Sequence, residues 1–308
     1  MIEARGLTKR FRDKAAVEDL TFTAPSGAVT GFVGPNGAGK STAMRLMLGL
    51  AAGEGETLYD GRPLAALPDP SRVVGALLDS RSFHPKRSAR NHLLSLAALS
   101  GVPASRADEC LKTVGLEAVG DKPPKGFSLG MAQRLGLAAA LIGDPRVLIL
   151  DEPANGLDPQ TVTWLRTFLR SLADEGRTVF LSSHLLTEMA LLADHLVVIG
   201  RGRLIAEAGV DEFVRQHTAG QVVLRTPHAD RVVAPLRAAG AEITTDGEAL
   251  VLAGISRQDV ADIVWEQRAM VLELSTRHGS LEEAYLSLTG AAVEFGPRQA
   301  TEMTGSTR

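Results

Sequence analysis

"GPNGAGKS" occupies residues 34–41, and its reading decides the fold. It has the form G-x-x-x-x-G-K-[ST], the spacing of a phosphate-binding loop. The run before it, "AVTGFVG" (28–34), is apolar and reads as a buried strand. After it the pattern is helical from about Ser41 to Leu50, with Gly53 placed to stop the helix. A strand, a glycine turn and a helix leave backbone N–H groups pointing into one concavity, an anion nest at a helix N-terminus. Gly34, Pro35, Asn36, Gly37, Ala38 and Gly39 would wrap the phosphates, with Lys40, Ser41 and Thr42 opening the helix. Lys40 is suited to neutralise β- and γ-phosphates, and the Ser41 hydroxyl to bind Mg²⁺.

Two further apolar strands end in polar groups of matching chemistry. "RVLILDEP" (146–153) closes on two carboxylates. Asp151 offers the oxygen partner that Mg²⁺ needs beside a phosphate loop, most simply through water. Glu152 is placed to orient or deprotonate an attacking water. "TVFLSSH" (178–184) puts His184 just past a strand, where it would donate a hydrogen bond to a γ-phosphate. "FSLGMAQR" (127–134) reads as a helix start capped by Ser128. Its hydroxyl, the side-chain-free Gly130 and the helix N-terminus all favour an anion.

Strands separated by helical segments argue for an α/β domain with a largely parallel sheet over 1–216, mostly helical from about 83 to 143. "LVVIGRGRLIAEAG" (196–209) reads as a hairpin turning at 200–202. Beyond it the order changes. "QVVLR", "DRVVAPLRAAG", "AEITT", "EALVLAG", "RQDVADIVWEQR" and "AMVLELS" give strand, helix, strand, strand, helix, strand. That βαββαβ order is the ferredoxin-like arrangement, expected over 217–290 together with a last helix in "SLEEAYLSLTG". Ser280 and Glu283 have capping-box spacing there. Trp164 and Trp265 lie on helical stretches and are expected to pack, and 291–308 reads as a disordered tail.

Composition bounds the rest. The chain of 308 residues has a net charge of −3, so no global attraction to nucleic acid or anionic lipid is implied. A single cysteine, Cys110, excludes an internal disulfide framework and fits a reducing compartment. Apolar windows such as 135–143 are far shorter than the ~20 residues of a membrane-spanning helix. Any membrane role is therefore expected from outside the bilayer.

The ordered set "GPNGAGKS", "FSLGMAQR", "VLILDE", "NGLD" and "SSH" resembles the nucleotide-binding subunit of an ATP-binding cassette (ABC) transporter over roughly residues 1–215. The resemblance implies a P-loop NTPase fold of ABC type with a helical subdomain, followed here by the smaller α+β domain. It implies ATP and Mg²⁺ as ligands and ATP hydrolysis in a head-to-tail homodimer. "FSLGMAQR" stands where the family's signature, usually Leu-Ser-Gly-Gly-Gln, belongs. By that likeness Ser128 and Gly130 contact the γ-phosphate on a partner subunit, although Leu129 and Met131 depart from the pattern. Asp158 would position the partner's switch histidine, and Phe11 would stack on adenine. Asp79 stands where the family usually has a glutamine that touches Mg²⁺; its shorter, charged side chain would join Ser41 and Asp151 at the metal by accepting a metal-bound water. A separate permease and a site on the inner face of the cell membrane are implied. The single cassette and its extra domain resemble bacterial drug, antibiotic or lipid export ATPases. A soluble ABC ATPase acting on ribosomes or DNA is the alternative, though linked cassettes and Lys-rich stripes are lacking.

Overall fold

The computed structural model describes residues 1–12, 14–79, 83–84, 86–218, 220–277 and 279–289. The tail expected at 291–308 lies outside them. The chain opens with β1 (Ile2–Phe11), β2 (Lys14–Ala24) and β3 (Val29–Val33), then α1 (Lys40–Met47). Next come β4 (Glu54–Tyr59), β5 (Arg62–Pro63), the short α2 (Pro70–Val73) and β6 (Val74–Leu77). Three helices follow, α3 (Ala89–Leu99), α4 (Ser105–Thr113) and α5 (Leu129–Ala140). The alternation resumes with β7 (Val147–Leu150), α6 (Pro159–Asp174), β8 (Thr178–Ser183), α7 (Leu186–Leu192), β9 (His195–Gly200), β10 (Arg203–Gly209) and α8 (Val210–His217).

Strands β3, β6, β7, β8 and β9 form a parallel array, extended by the antiparallel β10, in the order β10-β9-β3-β8-β7-β6. Every residue of β3, β7 and β8 is buried, as expected of a parallel sheet covered on both faces. Because side chains alternate along a strand, each strand feeds two cores. Leu148 and Leu150 join Leu93, Leu135 and Leu165 on the helical side. Val147 and Ile149 join Phe32, Phe180, Met44 and Met47 beneath α1. Phe22, Phe32 and Phe180 lie with ring centroids 5.1–5.7 Å apart in this second core. Helix α1 stops earlier than expected: Gly49, at φ 67°, takes the left-handed conformation that ends helices, and Gly53 lies beyond it.

A separate antiparallel sheet, β2-β1-β4-β5, roofs the loop side. After α8 the chain builds β11 (Gln221–Arg225), α9 (Ala229–Ala238), β12 (Glu242–Asp246), β13 (Ala249–Ala253), α10 (Arg257–Glu266) and β14 (Glu273–Arg277). These strands pair antiparallel in the order β12-β13-β11-β14, around a core of their own that includes Leu224, Leu236, Leu252 and Val264. Two expectations are corrected here. The last strand starts at Glu273, leaving Met270 to Leu272 exposed, and Trp265 is 83% exposed on the outer side of α10. Trp164 is partly buried, stacked on Phe168 with the Arg134 guanidinium 4.6 Å from its ring.

The last helix, α11 (Leu281–Thr289), begins at the expected capping box: Glu283 N–H donates to Ser280 Oγ (3.1 Å), and Ser280 N–H to Glu283 Oε2 (3.0 Å). It does not pack in the ferredoxin-like unit. It returns to α7 and α8, where Leu281 and Ala284 are buried with Phe213 in the first core. Ser287 Oγ also donates to the His217 carbonyl at 2.9 Å. Leu281→Ala is therefore expected to destabilise the large α/β unit by about 2–5 kcal/mol. Denaturation followed through Trp164 fluorescence in a Trp265→Phe background measures this, and an unchanged midpoint would place α11 elsewhere.

Candidate functional site

The phosphate-type loop is bent by glycine where no other residue fits. Gly39, the cap residue of α1, has φ 105°, and a Cβ there would strike the Ala16 carbonyl oxygen. The loop is braced from behind by the β9–β10 turn. Gly202 N–H donates to the Ala38 carbonyl (2.9 Å), and Glu18 N–H donates to the Gly202 carbonyl (2.9 Å). No side chain caps α1, so its first-turn N–H groups, from Lys40 to Thr42, are left for a ligand. Gly37 is exposed and meets nothing where a Cβ would stand, so the cradle is open on that side.

Lys40 is only 7% exposed. Its Nζ donates to the Gly34 carbonyl at 2.7 Å and the Pro35 carbonyl at 3.4 Å, and stands 3.6 Å from Glu152 Oε1. The other oxygen of Glu152 lies 2.7 Å from His184 Nδ1. A carboxylate only accepts, so that bond places a proton on Nδ1. The structure thus joins Lys40, Glu152 and His184 in one chain of contacts.

Asp151 and Glu152 are tied together by a residue singled out by nothing in the sequence beyond its place in "SSH". Ser182, fully buried on β8, donates to Asp151 Oδ1 at 2.6 Å and accepts from Glu152 N–H at 2.8 Å. Asp151 N–H continues the sheet ladder to Leu77 O at 2.8 Å, whereas Glu152 turns off it with φ 47°. Ser41, exposed at the start of α1, and Asp151 supply hard oxygen donors suited to Mg²⁺, which keeps most of its shell for water and phosphate.

Ser128 Oγ caps α5 by accepting Met131 N–H at 3.2 Å. Gly130 lies against Thr161 and Leu157, so the α5 start abuts the α6 start. Asp158 caps α6, accepting Thr161 N–H at 2.9 Å and the Thr161 hydroxyl at 2.7 Å. The Thr161 hydroxyl and then its backbone N–H hold the Asp158 carboxyl below the usual range. Among the described residues, no hydrogen bond or ion pair joins Ser128, Gly130 or Asp158 to residues 34–42. Phe11 is 57% exposed at the end of β1, with Lys9 Nζ 5.1 Å from its ring centroid, so it is no core residue. Asp79 lines a cavity of about 400 Å³ with Arg45, Phe83 and His92.

The chain has relatives and structural counterparts among known proteins. Residues 17–155 match the family model described as "ABC transporter", and 220–282 match a "Domain of unknown function (DUF8746)". YhcH of Bacillus subtilis (strain 168), an uncharacterized ABC transporter ATP-binding protein, is 35% identical over 96% of this chain and 97% of its own. The chain belongs to the ABC transporter ATP-binding proteins. The bacitracin transport ATP-binding protein BcrA of Bacillus licheniformis is 33% identical over 94% of this chain and 97% of its own. A solved ATP-binding subunit of an ABC transporter superposes with a TM-score of 0.64 at 26% identity, covering 70% of this chain and 92% of that one. The cassette is thus a nucleotide-binding, ATP-hydrolysing subunit of a transporter. No helix among the described residues is long and apolar enough to cross a membrane.

Gly39→Ala tests the cradle. Forcing a Cβ into that backbone costs about 1–3 kcal/mol. It is expected to weaken ATP binding roughly 10- to 100-fold, as read by titration with a fluorescent ATP analogue.

Proposed function

We propose that the cassette hydrolyses ATP as a head-to-tail homodimer and drives export of a drug, antibiotic or lipid through a separate membrane permease. The observation that carries this reading is the contact chain from Lys40 through Glu152 to His184 at the mouth of the loop. BcrA's role in bacitracin transport supports the cargo class. In this reading the chain works from the inner face of the cell membrane, without nucleic acid.

Residues 34–42 bind the triphosphate, with the backbone of the turn and first helical turn donating to it and Phe11 stacking on the base. Ser41 and Asp151 would hold Mg²⁺, which would neutralise charge on the β- and γ-phosphates. Lys40 carries a buried positive charge to the same oxygens, where low dielectric strengthens it. Glu152 takes the proton of the attacking water, or orients it. His184 is held by Glu152 through Nδ1, and in its imidazolium form, with protons on both ring nitrogens, it donates through Nε2 to the γ-phosphate.

Ser128 and Gly130 complete the partner's site, and Asp158 orders the crossing loop. Among the described residues no hydrogen bond or ion pair joins them to the cassette's own Lys40 group, which fits action in trans. Asp79 lines the cavity beside the helical subdomain, with His92 and Gly136. The 1–216 cassette and the ferredoxin-like unit form separate domains, with α11 belonging to the former.

Glu152→Gln is expected to cut hydrolysis by about 100-fold or more and to hold an ATP-bound dimer visible by light scattering; only monomer at saturating ATP would count against it. Ser128→Arg should abolish hydrolysis while leaving the monomer's ATP affinity nearly intact. A pull-down from native membranes with tagged Glu152→Gln and ATP tests the transporter assignment. A co-purifying polytopic membrane protein supports it, and ribosomal proteins or DNA without a permease would replace it with the soluble class.

A further inference from the structure

We infer that Ser182 is a positioning residue for ATP hydrolysis: its one hydroxyl fixes the orientation of Asp151 and the backbone of Glu152 together. The inference rests on the roles proposed above for those two acids and adds a residue that sets their geometry.

The hydrogen-bond arithmetic leaves little freedom. A serine hydroxyl has one proton to give and two lone pairs to receive with. Glu152 N–H can only donate, so Ser182 Oγ must accept it at 2.8 Å. The hydroxyl proton then points to Asp151 Oδ1, at 2.6 Å, a length typical of a charge-assisted bond. The two bonds have a fixed sense, and together they lock one carboxylate rotamer to one backbone turn.

The strand register explains why this residue can do it. Leu150 on β7 faces Leu181 on β8, so the next pair along the parallel ladder is Asp151 and Ser182. Ser182 also sits level with Phe32 of β3, the strand that feeds the loop. By alternation it shares a face with Phe180, in the core beneath α1. Below Ser182 that face is aromatic; beyond it stands the phosphate loop. The hydroxyl is fully buried, and its hydrogen bonds among the described residues go to Asp151 and Glu152.

Glu152 needs such a hold. Its φ of 47° is left-handed, a conformation that a glutamate enters only when its surroundings impose it. The turn takes Glu152 off the β7–β8 ladder and swings its carboxylate to Lys40 and His184. Its N–H, having lost a ladder partner, is satisfied by Ser182 instead. Removing the hydroxyl would leave a partly buried N–H without this acceptor and an Asp151 carboxylate without the bond that orients it. Both losses fall on the reacting geometry and spare the 34–42 loop that holds the nucleotide.

The test compares wild type, Ser182→Ala, Ser182→Thr and Glu152→Gln, each as the full chain with ATP and Mg²⁺. Turnover, KM and thermal melting are measured alongside the affinity of a fluorescent ATP analogue with and without Mg²⁺. Ser182→Ala is expected to lower kcat by about 10- to 100-fold, the usual effect of losing a group that orients a metal ligand or reacting carboxylate. Analogue affinity without Mg²⁺ should hold within about threefold, while the tightening that Mg²⁺ produces shrinks. Ser182→Thr, which keeps the hydroxyl, should recover most of the lost turnover. Wild-type kcat and Mg²⁺ response in Ser182→Ala would overturn the inference. So would a loss that appears equally in KM and melting temperature and is not rescued by threonine. If Glu152→Gln hydrolyses like wild type, the site reading itself fails and takes this one with it. Loss in Glu152→Gln with none in Ser182→Ala sinks only the role of Ser182.

Discussion

A lysine ammonium that is almost fully buried sets the terms for the rest of this structure. Burying a cation is costly unless oxygens surround it. Lys40 meets the Gly34 and Pro35 carbonyls at the end of β3 and the Glu152 carboxylate just past β7. These oxygens come from strands that are not sequence neighbours, separated in the sheet by β8. They converge because the three strands are parallel, in register and wholly buried, so their C-terminal ends lie level. A slip of one residue in any of them would exchange its two faces and withdraw its oxygens or its histidine.

The same alternation divides labour between two cores. One face of each strand packs under α1 and holds the loop; the other packs against α3, α5 and α6. The segments proposed to act on a partner, the starts of α5 and α6, stand on this helical side and contact each other through Gly130, Leu157 and Thr161. Asp158 and Ser128 cap those two helices. The side chains proposed to work across an interface therefore also fix the helix ends that present them, and a capped helix N-terminus is itself an anion-attracting surface.

What the sequence disclosed and withheld divides along physical lines. Residues 34–41, Asp151, Glu152 and His184 could be singled out as candidates because phosphate chemistry restricts which residue types can stand at each position. The ferredoxin-like order was legible because each element has its own clear period. The β2-β1-β4-β5 sheet was not. Strand β1 reads "IEARGLTKRF", with charged residues throughout and a kink at Gly6 (φ 60°), so its burial follows no clean alternation. Ser182 escaped notice because a serine at a strand end has no signature; only its placement beside Asp151 gives it one. Gly202 is similar, a turn glycine whose N–H supports a loop far away in sequence. Trp265 was misread because helical spacing says which residues share a face, and not whether anything covers that face.

The course of α11 has the widest structural consequence. The chain leaves the cassette after α8, builds a complete unit with its own core, and returns to pack beside the helix it left. The ferredoxin-like unit is thus held at both ends, with Ser287 bonded to the carbonyl of His217 where the excursion begins. A domain attached by one linker pivots freely; one attached at two adjacent points keeps far less of that freedom. It also means that the cassette core is completed by residues 281 and 284, beyond the inserted unit. The cassette's last piece of core therefore arrives only after the smaller unit has been traversed.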